Sequence, residues 1–128
     1  MANIPANLLY TSDHEWVKID GKVATIGITH HAQDQLGDIV FLGDAPDAGT
    51  KIEKGDVVAV VESVKATSDI YTPVDGKIAE LNEDLEEEPE LVNSDPYGRG
   101  WILKIKLSEE DLSDLLSAAQ YEELVENE

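Results

Sequence analysis

The sequence predicts a mainly β protein: a small flattened barrel or sandwich of short antiparallel strands, with one short helix near residues 30–36 and an amphipathic helix at the C-terminus. Three observations carry this expectation. Short runs rich in β-branched residues recur through residues 10–81 between Gly, Pro and Asp turns. An Asp-Gly pair sits between two alternating runs, a strong hairpin signal. A helical period appears only near residue 30 and again after residue 108.

Taken in order, residues 16–19 (Trp-Val-Lys-Ile) and 23–28 (Val-Ala-Thr-Ile-Gly-Ile) flank Asp20-Gly21 and should form the hairpin. Thr29 is placed to cap a helix over residues 30–36, in which Ala32 and Leu36 share a face and Gly37 supplies the stop. Strand patterns resume at residues 39–42, 57–61, 68–72 and 76–81, with turn residues at Pro46, Gly49, Gly55 and 73–76. This spacing is what suggests the small barrel or sandwich. Residues 82–95 are acidic and loop-like, with room for one helical turn. Residues 101–107 alternate Trp, Leu, Ile and Leu with Ile, Lys and Lys and should form the last strand. Leu112, Leu115, Leu116 and Ala119 fall at i, i+3, i+4 and i+7, which predicts the C-terminal helix over about 108–126, with Ser108 and Asp111 as its capping box. The whole of residues 1–128 reads as one domain.

The chain has 28 acidic and 9 basic residues in 128, a formal charge of −19. Binding a phosphate backbone requires Lys and Arg to neutralise phosphates, so nucleic acid is excluded, and an anionic membrane surface is excluded with it. The acids concentrate in residues 80–95 and 108–128. They can serve as solvated faces that keep the protein soluble, or as a field that steers it onto basic partners; a high-salt host would also favour them. There is no cysteine, hence no disulfide, thiolate metal site or cysteine nucleophile, and sulfur chemistry would need a prosthetic group. The first ten residues carry neither charge nor a long apolar run, unlike a secretory signal or transit peptide. With the initiator Met, this favours a bacterial cytoplasmic protein.

Enzyme signatures are absent: there is no glycine-rich phosphate loop, nucleophile elbow, HExxH or Cys pair. His30 and His31 are adjacent, about 100° apart on a helix, and poorly placed to share a metal. His14, ahead of a strand, should make a structural hydrogen bond. No catalytic residue and no metal ligand is expected.

The segment around Lys65 is the most informative. A lysine interrupts two strand-like runs separated by very few residues, so its side chain should project into solvent from a tight hairpin tip within residues 57–81. Most hairpin lysines are plain turn residues. This segment, however, resembles the modified-lysine hairpin of lipoyl and biotinyl domains. The wording Glu62-Ser63-Val64-Lys65-Ala66 is the form typical of the H proteins of the glycine cleavage system. Further matches are His14-Glu15-Trp16-Val17, Gly27-Ile28-Thr29, Ala32-Gln33, Leu36-Gly37-Asp38, Asp69-Ile70-Tyr71, Leu91-Val92-Asn93, and Asp95-Pro96-Tyr97-Gly98 through Gly100-Trp101. At residues 41–46 the chain carries one residue more than that family usually does.

The resemblance implies the barrel-sandwich hybrid of lipoyl domains, and a carrier rather than an enzyme. It implies that lipoate is covalently attached to Lys65 in amide linkage. The lipoylating enzymes would read Glu62, three residues before, and Gly76, eleven after, although Gly76 is also explained as a turn glycine. Glu15 and Asp69 become candidate groove residues for the aminomethyl-loaded arm. The implied partners are glycine decarboxylase (P protein), the folate-dependent aminomethyltransferase (T protein), dihydrolipoyl dehydrogenase (L protein) and a lipoate ligase or transferase. The alternative is a lipoyl relay that donates lipoate to 2-oxoacid dehydrogenase complexes.

Overall fold

In the computed structural model, which describes residues 4–43, 45–108 and 115–127, the strand patterns pair into two antiparallel sheets. The strands are β1 (Leu9–Tyr10), β2 (Glu15–Asp20), β3 (Val23–Ile28), β4 (Ile39–Gly43), β5 (Lys51–Ile52), β6 (Val57–Ser63), β7 (Thr67–Tyr71), β8 (Gly76–Leu81) and β9 (Leu103–Leu107). A six-stranded sheet has the order β1-β2-β3-β9-β8-β5, and a three-stranded sheet has the order β4-β6-β7. Val17, Ala24, Ile26, Ile78, Leu103 and Ile105 of the first sheet and Ala59, Val61 and Ile70 of the second belong to one buried cluster. Period-two alternation places these residues on one face of each sheet, so the two faces close on each other as a sandwich.

The β2–β3 hairpin forms with Asp20 opposite Val23. Its two-residue loop is therefore Gly21-Lys22, one position later than the Asp-Gly pair suggests. Gly21 adopts φ +63°, which accounts for the glycine. Helix α1 (His30–Leu36) follows as expected, with the Thr29 hydroxyl accepting from the Ala32 N–H and Gly37 ending it at φ +80°. The last strand starts at Leu103 rather than at residue 101. The acidic stretch contains two single-turn helices, α2 (Asp84–Glu87) and α3 (Leu91–Ser94), whose Leu85, Leu91 and Val92 are buried. Burial of these side chains, not propensity, holds such short helices.

The C-terminal helix differs from its expectation. Helix α4 spans Ala118–Glu126 and is capped by Ser117 with Gln120, not by Ser108. Leu115 and Leu116 precede it, and Leu116 forms an antiparallel bridge with Tyr10. Leu112 and Asp111, the other members of the expected pattern, lie outside the described residues, as does Asp44 of the insertion. Helical spacing and an extended bridge compete for Leu116, and two backbone hydrogen bonds with Tyr10, of 2.8 and 2.7 Å, decide for the bridge. The helix packs on a second cluster built on Leu8, Tyr10, Trp16 and Tyr121. Tyr121 stacks on Tyr10 at 4.7 Å between ring centroids, and its hydroxyl meets the Thr29 hydroxyl at 2.7 Å and His14 Nδ1 at 2.8 Å.

Candidate functional site

The lysine hairpin is built by β6 and β7, whose register ends with Glu62 opposite Thr67. Residues 64–66 form the tip. Ser63 holds them: its hydroxyl accepts from the Lys65 N–H at 3.2 Å and the Ala66 N–H at 3.1 Å, and its own backbone N–H donates to the Ala66 carbonyl at 2.8 Å. A serine at a turn satisfies backbone donors in this way. The tip is also tied to the chain after α1, because the Val64 N–H donates to the Asp38 carbonyl at 3.0 Å. A Cβ built on Gly37 would lie 3.5 Å from Val64 Cγ2 and 3.6 Å from Lys65 Cε, so the Lys65 stem passes over the end of α1. Lys65 itself is exposed. The arrangement presents one amine on a short, well-braced turn, open to a modifying enzyme.

Glu62 is exposed on β6 between Phe41 and Thr67. Gly76 sits elsewhere, as the first residue of β8 between Ile52 and Leu107. It is buried, and a Cβ there would overlap the Lys106 carbonyl oxygen. The need for glycine at this position is thus one of space between paired strands, and not of turn conformation. Gly76→Ala should cost about 2 kcal/mol or more and lower the melting temperature by about 8 °C. An unchanged melting curve would show that the strands accommodate the methyl group and leave enzyme recognition as the reason for the glycine.

Glu15 is the unexpected member. It is only 2 % exposed, although it stands among 28 acids that sequence alone would place in solvent. Its carboxylate accepts from the Tyr71 backbone N–H at 2.8 Å and from the Thr11 hydroxyl at 3.3 Å. Burial pushes its pKa up from 4.5 to about 7; the Tyr71 N–H and the Thr11 hydroxyl oppose the rise, and the charge of Asp13 adds to it. Glu15 lines a cavity of about 360 Å³ together with Thr11, Asp13, Lys54 and Tyr71. Asp69 does not line it. It is exposed on β7 and shares the outward face of that strand with Thr67 and Tyr71. This face runs from the lysine tip toward the cavity, about 13 Å from Thr67 to Tyr71.

Another feature has no clear sequence signal. Among the described residues the exposed large apolar side chains are Val40, Phe41, Val57, Val64 and Tyr71, and all belong to the three-stranded sheet or its lysine tip. In sequence, Val40 and Phe41 belong to an apolar run that reads as core. The structure places a register shift between Ile39 and Phe41 that turns the run outward. An exposed apolar patch of this kind is what protein-contact surfaces are made of. The three histidines are not gathered on one site: His14, at φ +67°, bonds Tyr121 and packs on His31 at 4.7 Å, while His30 Nδ1 meets the Gln33 side-chain amide at 3.2 Å. Among the described residues no three potential ligands cluster to hold a metal.

The comparisons with known proteins agree with this geometry. The family model described as glycine cleavage H-protein matches residues 8–128. A glycine cleavage system H protein from Rubrobacter xylanophilus is 52 % identical over 128 residues, covering 100 % of this chain and 99 % of the relative. One from Thermotoga maritima is 54 % identical over 120 residues, covering 93 % and 96 %. The crystal structure of a glycine cleavage system H protein from Mycobacterium marinum superposes with a TM-score of 0.88 at 34 % identity, covering 96 % of this chain and 99 % of that one. Matched over nearly its whole length in sequence and in fold, the chain belongs to the glycine cleavage H-protein family.

Proposed function

We propose that this chain is a lipoyl carrier of glycine cleavage, with lipoate attached to the Lys65 amine, and that it has no activity of its own. The observation that carries this reading is the exposed lysine on a turn braced by Ser63 and Asp38, within the family's own wording of that turn. When attached, lipoate supplies a disulfide that opens to a dithiol and takes up the aminomethyl group derived from glycine. The chain's part is to present, orient and shelter. Ser63 keeps the attachment point in one conformation, and Gly37 keeps space beside the Lys65 stem. Glu62 stands exposed beside the tip, where a lipoate ligase or transferase could read it.

Thr67, Asp69 and Tyr71 form the track along which an arm rooted at Lys65 would reach the cavity at Glu15. A cationic amine entering there meets a carboxylate held at the edge of ionisation. Its positive charge would favour the ionised form, so docking of a cation and deprotonation of Glu15 are coupled. Asp69 adds a second carboxylate on the way. An unloaded arm, which carries no amine, gains neither contact, which gives the carrier a means to distinguish loaded from unloaded arms.

The partners implied are glycine decarboxylase, the folate-dependent aminomethyltransferase and dihydrolipoyl dehydrogenase. The apolar residues around the tip suit brief docking to each, and the charge of −19 suits fast encounter. The compartment we propose is the bacterial cytoplasm; no helix among the described residues is long and apolar enough to cross a membrane. The relay alternative is not favoured by the family match. Intact-mass analysis after expression with lipoate is the direct test. A gain of one lipoyl group, mapped by peptide sequencing to Lys65, is expected, and an unmodified chain that still supports glycine decarboxylation with its partners would overturn the proposal.

A further inference from the structure

The nine basic residues of this acidic chain are not scattered. Strand register places Lys51 opposite Lys77, and Lys77 opposite Lys106, in one row across β5, β8 and β9. The side chains lie on the face of the six-stranded sheet that points away from the sandwich core, since the alternate residues Ile52, Ile78, Ile105 and Leu107 are buried. The next row carries Lys18 and Lys104, again facing outward. Five of the nine basic residues therefore share one face, with Asp20 and Glu80 as the acids at strand positions on it. Lys104 is held over the Trp101 ring at 5.0 Å.

Like charges directly opposite in a sheet are destabilising. Among the described residues no carboxylate comes within ion-pair distance of Lys51, Lys77 or Lys106. With 28 acids in the chain, three uncompensated lysines in register are not what local stability favours. A groove of about 630 Å³ opens beside the row, lined by the same three lysines and Lys54 against two carboxylates, Glu53 and Asp75. The other half of this sheet face is already covered, because Tyr10 and Trp16 there pack with α4. In the lysine half, Lys51, Lys77 and Lys106 are exposed.

We propose that this face docks a carboxylate-rich segment of a partner protein. Charge complementarity selects the occupant. The row spans three strands, about 10 Å, and with the Lys18 and Lys104 row beside it is the basic part of a chain of net charge −19, so a long polyanion would run past the lysines into a repelling field. A short acidic segment ends where the lysines end. The face belongs to the sheet that does not carry Lys65, so a partner held there leaves the lysine tip uncovered, while the groove and the Glu15 cavity meet at Lys54. Only this last consequence rests on the carrier reading; docking itself does not require Lys65 to be modified.

The test uses the full, unmodified chain labelled with nitrogen-15 and titrated with a hexaglutamate peptide at low and at physiological salt. Saturable amide shifts confined to β5, β8, β9 and their flanks are expected, weakening with salt. The variant carrying Lys51→Gln, Lys77→Gln and Lys106→Gln should bind the peptide at least ~10-fold more weakly. Lys77→Gln alone should lie between, and Arg99→Gln, away from the face, should bind as the parent does. Unchanged binding by the triple variant, or shifts centred on the lysine hairpin, would overturn the proposal. So would saturation by inorganic triphosphate without saturation by the peptide, which would make the face a small-anion site. Concentration-dependent dimerisation abolished by the triple variant would identify a second copy as the occupant and overturn the assignment to a partner protein.

Discussion

Lys65→Arg should remove the lipoyl mass increment completely and reduce glycine-dependent carbon dioxide release, measured with the three partner enzymes, by about 1,000-fold or to background. Arginine keeps the positive charge and a stem of similar length, but its guanidinium stays protonated and offers no free amine for amide formation. Lys65 is exposed on a turn whose hydrogen bonds come from backbone groups and Ser63, so the fold should lose no more than about 0.5 kcal/mol. The separation of the two readouts is the point. Loss of activity with an unchanged melting curve assigns the effect to chemistry at one nitrogen. Activity retained by the arginine variant would remove Lys65 from the function altogether.

The second large effect concerns Glu15 and pH. Its pKa in the folded chain, about 7, lies above the ordinary 4.5. The folded state therefore holds this proton more tightly than the unfolded state does. The stabilisation that follows is complete below about pH 4.5 and is lost as pH rises through 7. A shift of this size corresponds to about 3 kcal/mol across that window. Glu15→Gln keeps an acceptor for the Tyr71 N–H and has no proton to lose. The difference in urea-unfolding free energy between parent and variant should change by about 3 kcal/mol from pH 4.5 to 8, in favour of the variant at high pH. Taking the difference cancels the other carboxylates, whose titration is common to both chains. A difference that stays flat across this range would mean that the folded chain does not hold the Glu15 proton more tightly than the unfolded chain does.

Much of the architecture is written locally and was legible. The β2–β3 hairpin, α1 with its Thr29 cap and the β6–β7 lysine hairpin each follow from residues less than about ten apart, where turn chemistry and side-chain period act directly. What was not legible depends on residues far apart in the chain. The insertion of β9 between β3 and β8 decides why Gly76 has no room for a methyl group, since the obstructing carbonyl belongs to Lys106. The burial of Glu15 depends on Tyr71, which offers its backbone N–H from another sheet. Leu116 reads as helical by period, yet its bridge to Tyr10 forms because β1 leaves an edge to be filled. Of the site, the family wording located Lys65 and named Glu62, Gly76, Glu15 and Asp69. Only coordinates separate the exposed members from the buried ones.

Those same contacts bear on how crowded solutions of this protein should behave. A sheet edge with unpaired amides is a template on which a strand of another molecule can add, the first step toward aggregates. Here each edge is interrupted at one point or kept short. Leu116 covers β1 at Tyr10, the Glu15 carboxylate occupies the Tyr71 amide on β7, and the Asn93 side chain occupies the Ile39 amide on β4 at 2.9 Å. The remaining edge, β5, is two residues long and begins with a lysine. The five large apolar side chains exposed among the described residues thus lie on a sheet whose edges are each interrupted at one point, which limits where β-structure could propagate.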